Sequence, residues 1–89
     1  MSIDVRRIPM TDEMWENFAN AIICQAAEDY RSARKKLRDD PENFGHLKTV
    51  KEVERFFRSQ WYCQLTSADG MYVFKRLKTE QDQIDNALP

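Results

Sequence analysis

Polar and apolar residues along most of this chain recur with the period of an α-helix. The first such stretch covers residues 11–38, with Thr11 as its N-cap, two acids in its first turn and Asp39-Asp40-Pro41 after it. These are typical helix ends, because a proline disfavours the helical conformation of the residue before it. Apolar side chains recur every three or four residues, which places them on one helix face. They are Trp15, Phe18, Ile22, Ala26, Tyr30, Ala33 and Leu37.

A second helical pattern covers residues 49–65. Thr49 and Glu52 have the spacing of a capping box, in which each side chain bonds the backbone N–H of the other residue. Residues 39–48 are therefore expected to form a loop, and Ser59 marks a bend or break within the pattern. The apolar positions are Val53, Phe56, Phe57, Trp61 and Leu65. We expect Phe56, Phe57 and Trp61 to lie in the core.

A third pattern covers residues 67–84, after a second capping box from Thr66 to Asp69. Its apolar side contains Met71, Val73, Phe74, Leu77 and Ile84. Residues 1–10 are predicted to be an extended N-terminal arm. The chain is thus predicted to be all-α: a small three-helix bundle with one long N-terminal helix, forming a single domain over residues 11–86.

Size and composition support one small domain. The chain has 89 residues, of which 42% are hydrophobic and 33% charged, and it contains only two glycines and three prolines. A domain this short buries only part of its surface, so its stability margin is thin, and self-association is a common remedy. The first helix is too long for its partners to cover, so Trp15, Phe18 and Ile22 are expected to form a homodimer seam. No apolar run reaches the length of a membrane span and no signal peptide is evident, which predicts a cytoplasmic protein.

Few residues offer catalytic or metal-binding chemistry. Cys24 and Cys63 lie in apolar-periodic segments and are expected to be buried free thiols. Their spacing matches no zinc motif, and no glycine-rich loop is present to hold a phosphate. His46 is expected in a polar loop. We therefore predict no metal, no cofactor and no enzymatic activity, while a small enzyme using His46 and Cys63 is retained as a third alternative.

Charge is unevenly distributed along the chain. Residues 1–30 have a net charge of −4, residues 31–58 of +4 and residues 59–89 of −1. Five of the eight residues from 31 to 38 are lysine or arginine. One interpretation is a patch for phosphates or for an acidic protein surface. The other is ordinary solvated charge at a helix C-terminus, neutralised by Asp39, Asp40 and Glu42.

Aromatic residues could extend the basic patch. Tyr62 and Tyr72 are the tyrosines whose hydroxyls are expected to reach the surface, and a tyrosine beside an arginine could stack on a nucleotide or base. The candidate binding residues are Tyr30, Arg31, Arg34, Lys35, Arg38, Lys51, Arg55, Arg58, Tyr62 and Tyr72.

Three stretches of the chain carry a resemblance to a known family. They are Ala21–Arg31 (AIICQAAEDYR), Glu54–Ser59 (ERFFRS) and Leu65–Tyr72 (LTSADGMY). Over roughly residues 14–80 the chain resembles small uncharacterised α-helical proteins encoded on integrative conjugative elements and prophages of Gram-positive gut bacteria. The resemblance implies a mobile-element setting and transfers no activity or site residue. Cys24 and Met71 depart from the more usual choices of the pattern.

These observations favour a non-enzymatic, mobile-element-encoded helical binding protein. Its expected partner is a protein or an anionic ligand, it would form a homodimer through its first helix, and it could counter host defence. The alternative is a nucleic-acid-binding accessory or regulatory protein of a conjugative element or phage. That alternative requires affinity that falls steeply with salt.

Overall fold

The computed structural model describes residues 11–87, and the predicted arm over residues 1–10 lies outside them. Four helices follow one another: α1 (Asp12–Asp39), α2 (Phe44–Arg58), α3 (Gln60–Leu65) and α4 (Gly70–Ala87). No strand occurs within the described part of the chain. The all-α prediction is confirmed, and the predicted number of three helices is wrong.

Capping explains both ends of α1. The hydroxyl of Thr11 accepts a hydrogen bond from the backbone N–H of Met14 (3.2 Å), which supplies a partner for one of the free donors at the helix start. At the other end, the backbone N–H of Asp40 donates to the carbonyl of Lys36 (3.1 Å). Pro41 then follows, where it cannot continue the helix.

The start of α2 differs from the prediction. The side chain of Asn43 accepts a hydrogen bond from the backbone N–H of His46 (3.1 Å), so α2 begins at Phe44 rather than at Thr49. Thr49 lies inside the helix, where its hydroxyl donates to the carbonyl of Gly45 (3.1 Å). The predicted capping box is therefore wrong, because asparagine is at least as good an N-cap as threonine and comes first in the chain.

Ser59 divides the predicted second helix into α2 and α3. Its hydroxyl donates to the carbonyl of Phe56 (2.6 Å) and accepts from the backbone N–H of Tyr62 (3.2 Å), so one side chain ends α2 and caps α3. The break reorients the residues that follow: Tyr62 and Leu65 are buried, whereas Trp61 is 41% exposed. The expectations that Trp61 lies in the core and that Tyr62 reaches the surface are both wrong.

The start of α4 also differs from the prediction, which placed it near Ser67. The helix begins at Gly70 because the carboxylate of Asp69 accepts hydrogen bonds from the backbone N–H groups of Met71 (3.0 Å) and Tyr72 (3.3 Å). Asp69 thus acts as the N-cap, although it was expected to be the last residue of a capping box.

Aromatic rings form the centre of the core. Phe57 of α2 lies 5.3 Å from Tyr62 of α3 and 6.0 Å from Phe74 of α4, and Tyr30 of α1 lies 5.3 Å from Phe74, measured between ring centroids. Gly70 permits this packing. A Cβ atom at that position would lie 2.1 Å from the carbonyl oxygen of Phe57, so α4 approaches the end of α2 through backbone alone.

Ion pairs and a shared groove show how the helices run relative to one another. Arg31 of α1 pairs with Glu80 of α4 and Arg38 pairs with Asp85, so the two helices run parallel. Early residues of α2 share a groove with late residues of α1, so α2 runs antiparallel to both. The described residues measure 51 × 28 × 18 Å.

The N-terminal part of α1 is incompletely covered. Met14 is 49% exposed and Phe18 is 38% exposed, while the rings of Trp15 and Phe18 contact each other at 5.7 Å.

Both cysteines are exposed, so the expectation of buried thiols is wrong: Cys24 lies beside the buried stripe of α1 rather than on it, and Cys63 is turned outward by the break before α3. Within residues 11–87, none of the helices combines the length and apolar character needed to cross a membrane.

Candidate ligand-binding groove

The three arginines of the basic segment at residues 31–38 bind the acidic end of α4. Arg31 forms a two-bond contact with Glu80, with Nε to Oε1 at 2.9 Å and Nη2 to Oε2 at 3.2 Å. Such a paired geometry is the preferred way for a guanidinium to bind a carboxylate. Both side chains remain almost half exposed, so this contact lies at the surface.

Arg34 is the most enclosed of the three arginines. Its Nη2 lies 2.6 Å from Asp82 and 2.9 Å from Asp85, and its Nη1 donates to the hydroxyl of Tyr30 (2.6 Å). The guanidinium also lies over the ring of Tyr30, with Cζ at 5.6 Å from the centroid. The Arg34 guanidinium is therefore bound by Tyr30, Asp82 and Asp85 of the same chain.

Arg38 completes the row. It pairs with Asp85 through Nε and donates from Nη2 to the side chain of Gln81 (2.7 Å), the buried polar residue of α4. The acids that neutralise the row come from α4, and not from Asp39 or Asp40, which directly follow the basic segment.

These contacts shift the ionisation of their members. Hydrogen bonding to Arg31 lowers the pKa of Glu80, and hydrogen bonding to Arg34 and Arg38 lowers the pKa of Asp85. Partial burial opposes the charge of Arg34, but the bonds to its carboxylate partners outweigh that effect and raise its pKa. The lowered pKa values keep Glu80 and Asp85 ionised near neutral pH.

Only one of the three predicted tyrosines is available to a ligand. Tyr30 and Tyr62 are each 1% exposed, and burial raises the pKa of both hydroxyls. Tyr72 is 60% exposed on α4. The guanidinium of Arg76 lies 5.9 Å from its ring centroid, and Nη1 of Arg76 lies 3.5 Å from its hydroxyl.

Tyr72 and Arg76 line an open groove of about 890 Å³ between α1 and α4. The other lining residues are Arg31, Val73, Lys75, Leu77, Thr79, Glu80 and Gln83. Lys75 and Arg76 form no ion pair with any other described residue. The groove thus combines an exposed ring, two unpaired cations and an apolar floor.

Sequence reasoning missed Lys75 and Arg76. The local signal was present, since Tyr72 and Arg76 are four residues apart and side chains at that spacing are neighbours on a helix. The basic segment at residues 31–38 was a stronger signal than this pair, so the predicted patch was centred on α1.

The remaining candidates lie elsewhere. Lys51 and Arg55 are exposed on the side of α2 that faces away from the core, and Lys35 is exposed on α1. Arg58 pairs with Glu54 one turn earlier (3.1 Å). The ten predicted residues therefore do not form one surface: the structure divides them among the arginine row, the groove, other exposed positions of α1 and α2, and the core.

Other chemistry is sparse in the described residues. Residues 11–87 contain no group of three or more histidine, cysteine, aspartate or glutamate side chains arranged to hold a metal ion. His46 lies in the first turn of α2 and lines a polar groove with Asp29 and Glu52. No hydrogen bond within residues 11–87 joins its ring to Cys63.

No protein-family model, curated protein or solved structure matches this chain. An exposed ring offers a stacking surface, and adjacent unpaired cations attract phosphate or carboxylate groups.

Proposed function

We propose that this protein is a non-enzymatic helical binding protein, and that the groove between α1 and α4 takes an anionic ligand with a planar group. The observation that carries the proposal is the exposed ring of Tyr72 beside Lys75 and Arg76, which form no ion pair within residues 11–87. A planar group would stack on the ring while its phosphates or carboxylates meet the two cations.

The rest of the groove limits what the ligand can be. Val73 and Leu77 supply an apolar floor, which favours a ligand with some uncharged surface. Arg31 is already bound to Glu80, so its charge is largely used within the chain. Glu80 would also repel an anion that extended toward the end of α4. The expected ligand therefore carries its charge at one end, near Lys75.

A biological role follows from the resemblance described above. The groove supports a protein that sequesters a small anionic molecule, which is one way for a mobile element to counter host defence without catalysis. We propose in addition that the protein is encoded on a mobile element and is located in the cytoplasm. An acidic segment of another protein is a second class of occupant for the same groove.

Native mass spectrometry of gently purified protein is the first test. A captured ligand would appear as extra non-protein mass that is absent from the Tyr72→Ala and Arg76→Ala variants. If the purified protein carried no extra mass, capture of a ligand during expression would lose its support. A titration with ATP would then decide whether the groove binds anions.

The second test is a titration with ATP, with inorganic triphosphate as a matched probe without a ring. We expect ATP to shift the amide resonances of residues 72–76, and we expect Tyr72→Ala or Arg76→Ala to weaken binding by about tenfold or more. Lys35→Ala removes an exposed cation outside the groove and should change nothing. Equal ATP affinities of the wild type and Arg76→Ala would contradict the proposal. If inorganic triphosphate bound with the same affinity as ATP, the ring of Tyr72 would not contribute to binding.

One observation favours the nucleic-acid alternative. Lys75, Arg76 and Lys78 form a basic stretch on α4 next to an exposed tyrosine, which is a common arrangement for binding single strands. The acids at the end of α4 count against it. Binding of a labelled single-stranded DNA should then weaken with salt, with a log–log slope of about −0.7 per phosphate contacted. No binding in low salt would eliminate this alternative.

We also propose that the protein forms a homodimer through the N-terminal part of α1. The exposure of Met14 and Phe18 supports this, because apolar patches of this kind commonly mark interfaces. Light scattering across a concentration series tests it: a mass that stays at the 10.6 kDa of one chain would contradict it.

A further inference from the structure

The side of α2 that faces away from the core carries an unusual combination of exposed groups, which we call the α2 face. It consists of Phe44, Leu47, Lys48, Lys51, Glu52 and Arg55, around a shallow groove of about 270 Å³, and Lys48 pairs with Glu52 one turn later (3.9 Å). Phe44 is 78% exposed and Leu47 is 40% exposed. Lys51 and Arg55 form no ion pair with another residue of the described chain.

The N-terminal end of α1 has the opposite character. This α1 tip, residues 12–18, carries the acids Asp12, Glu13 and Glu16, all of them exposed, and no basic residue. The same segment exposes Met14 and Phe18. Among residues 11–87, none of its three acids is engaged in an ion pair.

We infer that the α2 face of one copy binds the α1 tip of a second copy. The apolar groups of the two surfaces would be buried against each other, with the carboxylates of the tip facing Lys51 and Arg55 of the face. This inference rests on the self-association proposed above and adds the surface that receives the tip. It is independent of ligand binding in the groove.

The positions of the two surfaces allow a closed dimer. The α1 tip lies at one end of the molecule, and α2 begins beyond the other end of α1, about 38 Å away at 1.5 Å per residue. Two copies lying side by side in opposite directions would each insert a tip against the face of the other. Such a two-fold arrangement makes both contacts at once and leaves neither surface open for further growth.

Charge argues against the simpler pairing of two α1 tips. That contact would bring six carboxylates together, and residues 12–18 supply no cation to separate them, so like charges disfavour this association. Pairing two α2 faces has the same defect with the opposite sign. The contact between tip and face is the combination in which apolar and charged groups are both complementary.

Charge reversal in the full-length protein provides a direct test. The variant Glu13→Lys/Glu16→Lys makes the tip basic, and Lys51→Glu/Arg55→Glu makes the face acidic. Each variant alone should be monomeric by light scattering at concentrations where the wild type is a dimer. An equimolar mixture of the two should form a heterodimer, because each of its two contacts again joins opposite charges.

The control is Lys35→Glu/Lys78→Glu, which makes the same charge change at exposed positions outside both surfaces and should leave the dimer intact. A wild type that is monomeric at every concentration would contradict both self-association and this inference. If the wild type dimerises and Lys51→Glu/Arg55→Glu does not disturb it, self-association stands and the α2 face is not its contact. A mixture of the two variants that stays monomeric would also overturn the inference.

Discussion

Arg34 of α1 and Asp82 of α4 lie 2.6 Å apart, Nη2 to Oδ1, although 48 residues separate them in the chain. The arginine side chain is only 14% exposed, and it also binds Asp85 and the buried hydroxyl of Tyr30. This contact joins the C-terminal half of α4 to α1, where the last buried residue of α4 is the polar Gln81.

Replacement of Arg34 by methionine should therefore destabilise the protein. The change preserves much of the apolar stem, but it leaves the hydroxyl of Tyr30 and the carboxylate of Asp82 without this donor and removes one of the two arginines that bind Asp85, at a cost of about 2 kcal/mol. Urea unfolding followed by circular dichroism measures the free energy. The matched change Lys35→Met, at the adjacent exposed position, should alter it by less than about 0.5 kcal/mol. Equal effects of the two changes would contradict this assignment.

Stability should fall in acid because of Glu80 and Asp85. Their pKa values in the folded protein lie below the ordinary values of 4.5 and 3.8. A carboxyl with a lowered folded pKa stabilises the protein above its unfolded pKa, and that contribution is lost as the pH falls through the folded pKa. Unfolding free energies measured from about pH 7 down to about pH 3 should show the loss below about pH 4.5.

Removing the two acids should flatten that pH dependence. Glu80→Gln/Asp85→Asn is expected to be less stable than the wild type at neutral pH and to approach it in acid. The control Asp39→Asn/Glu42→Gln removes two exposed acids that form no ion pair within the described residues, so its curve should run parallel to that of the wild type. Parallel curves for both variants would show that the arginine row does not govern acid stability.

Gly70 should not tolerate even alanine. The added Cβ would lie 2.1 Å from the carbonyl oxygen of Phe57 and 2.9 Å from the ring of Tyr62, so α4 would have to move away from α2. We expect Gly70→Ala to destabilise by about 3 kcal/mol or more. Gly45→Ala is the comparison, since its Cβ meets only the side chain of Asn43 at 3.3 Å; a change under about 1 kcal/mol is expected there. A stable Gly70→Ala protein would contradict the close approach of the helices.

Local signals in the sequence were sufficient for the helical class and for the break at Ser59. They were not sufficient where two local signals competed. The box formed by Thr49 and Glu52 looked like a helix start, but Asn43 lies earlier and caps first, so the helix takes in the residues predicted to be loop. A capping pattern shows where a helix can begin, and the neighbouring residues determine which of several such sites is used.

The partner of the basic segment could not be predicted from the sequence. The spacing of Arg31, Arg34 and Arg38 indicates a shared helix face, but nothing local shows which element lies against it. The acids of α4 are more than 40 residues away, and they reach the arginines only because Gly70 lets α4 begin beside the end of α2. Burial of Tyr62 was missed for a related reason: the break at Ser59 changes which side of α3 faces the core.

Ser59 itself should be important for stability, because its hydroxyl joins two helices. It accepts from the backbone N–H of Tyr62 and donates to the carbonyl of Phe56, and α3 has only six residues to support itself. Ser59→Ala should cost about 1 kcal/mol, the usual value for loss of an N-cap. Ser67→Ala, at an exposed position before α4, should be nearly neutral in the same unfolding measurement. If Ser59→Ala were equally neutral, the cap would contribute nothing to stability.

The two cysteines should react in the folded protein. Cys24 on α1 and Cys63 on α3 are both exposed, and thiol reactivity depends on access of the reagent to the sulfur. Native protein treated with Ellman's reagent should therefore release two equivalents of chromophore, the same number as protein unfolded in guanidinium. The single variants Cys24→Ser and Cys63→Ser should each release one. If either thiol reacted only after unfolding, its helix would face the core differently from the arrangement described here, and for Cys63 the orientation of α3 set by Ser59 would be wrong.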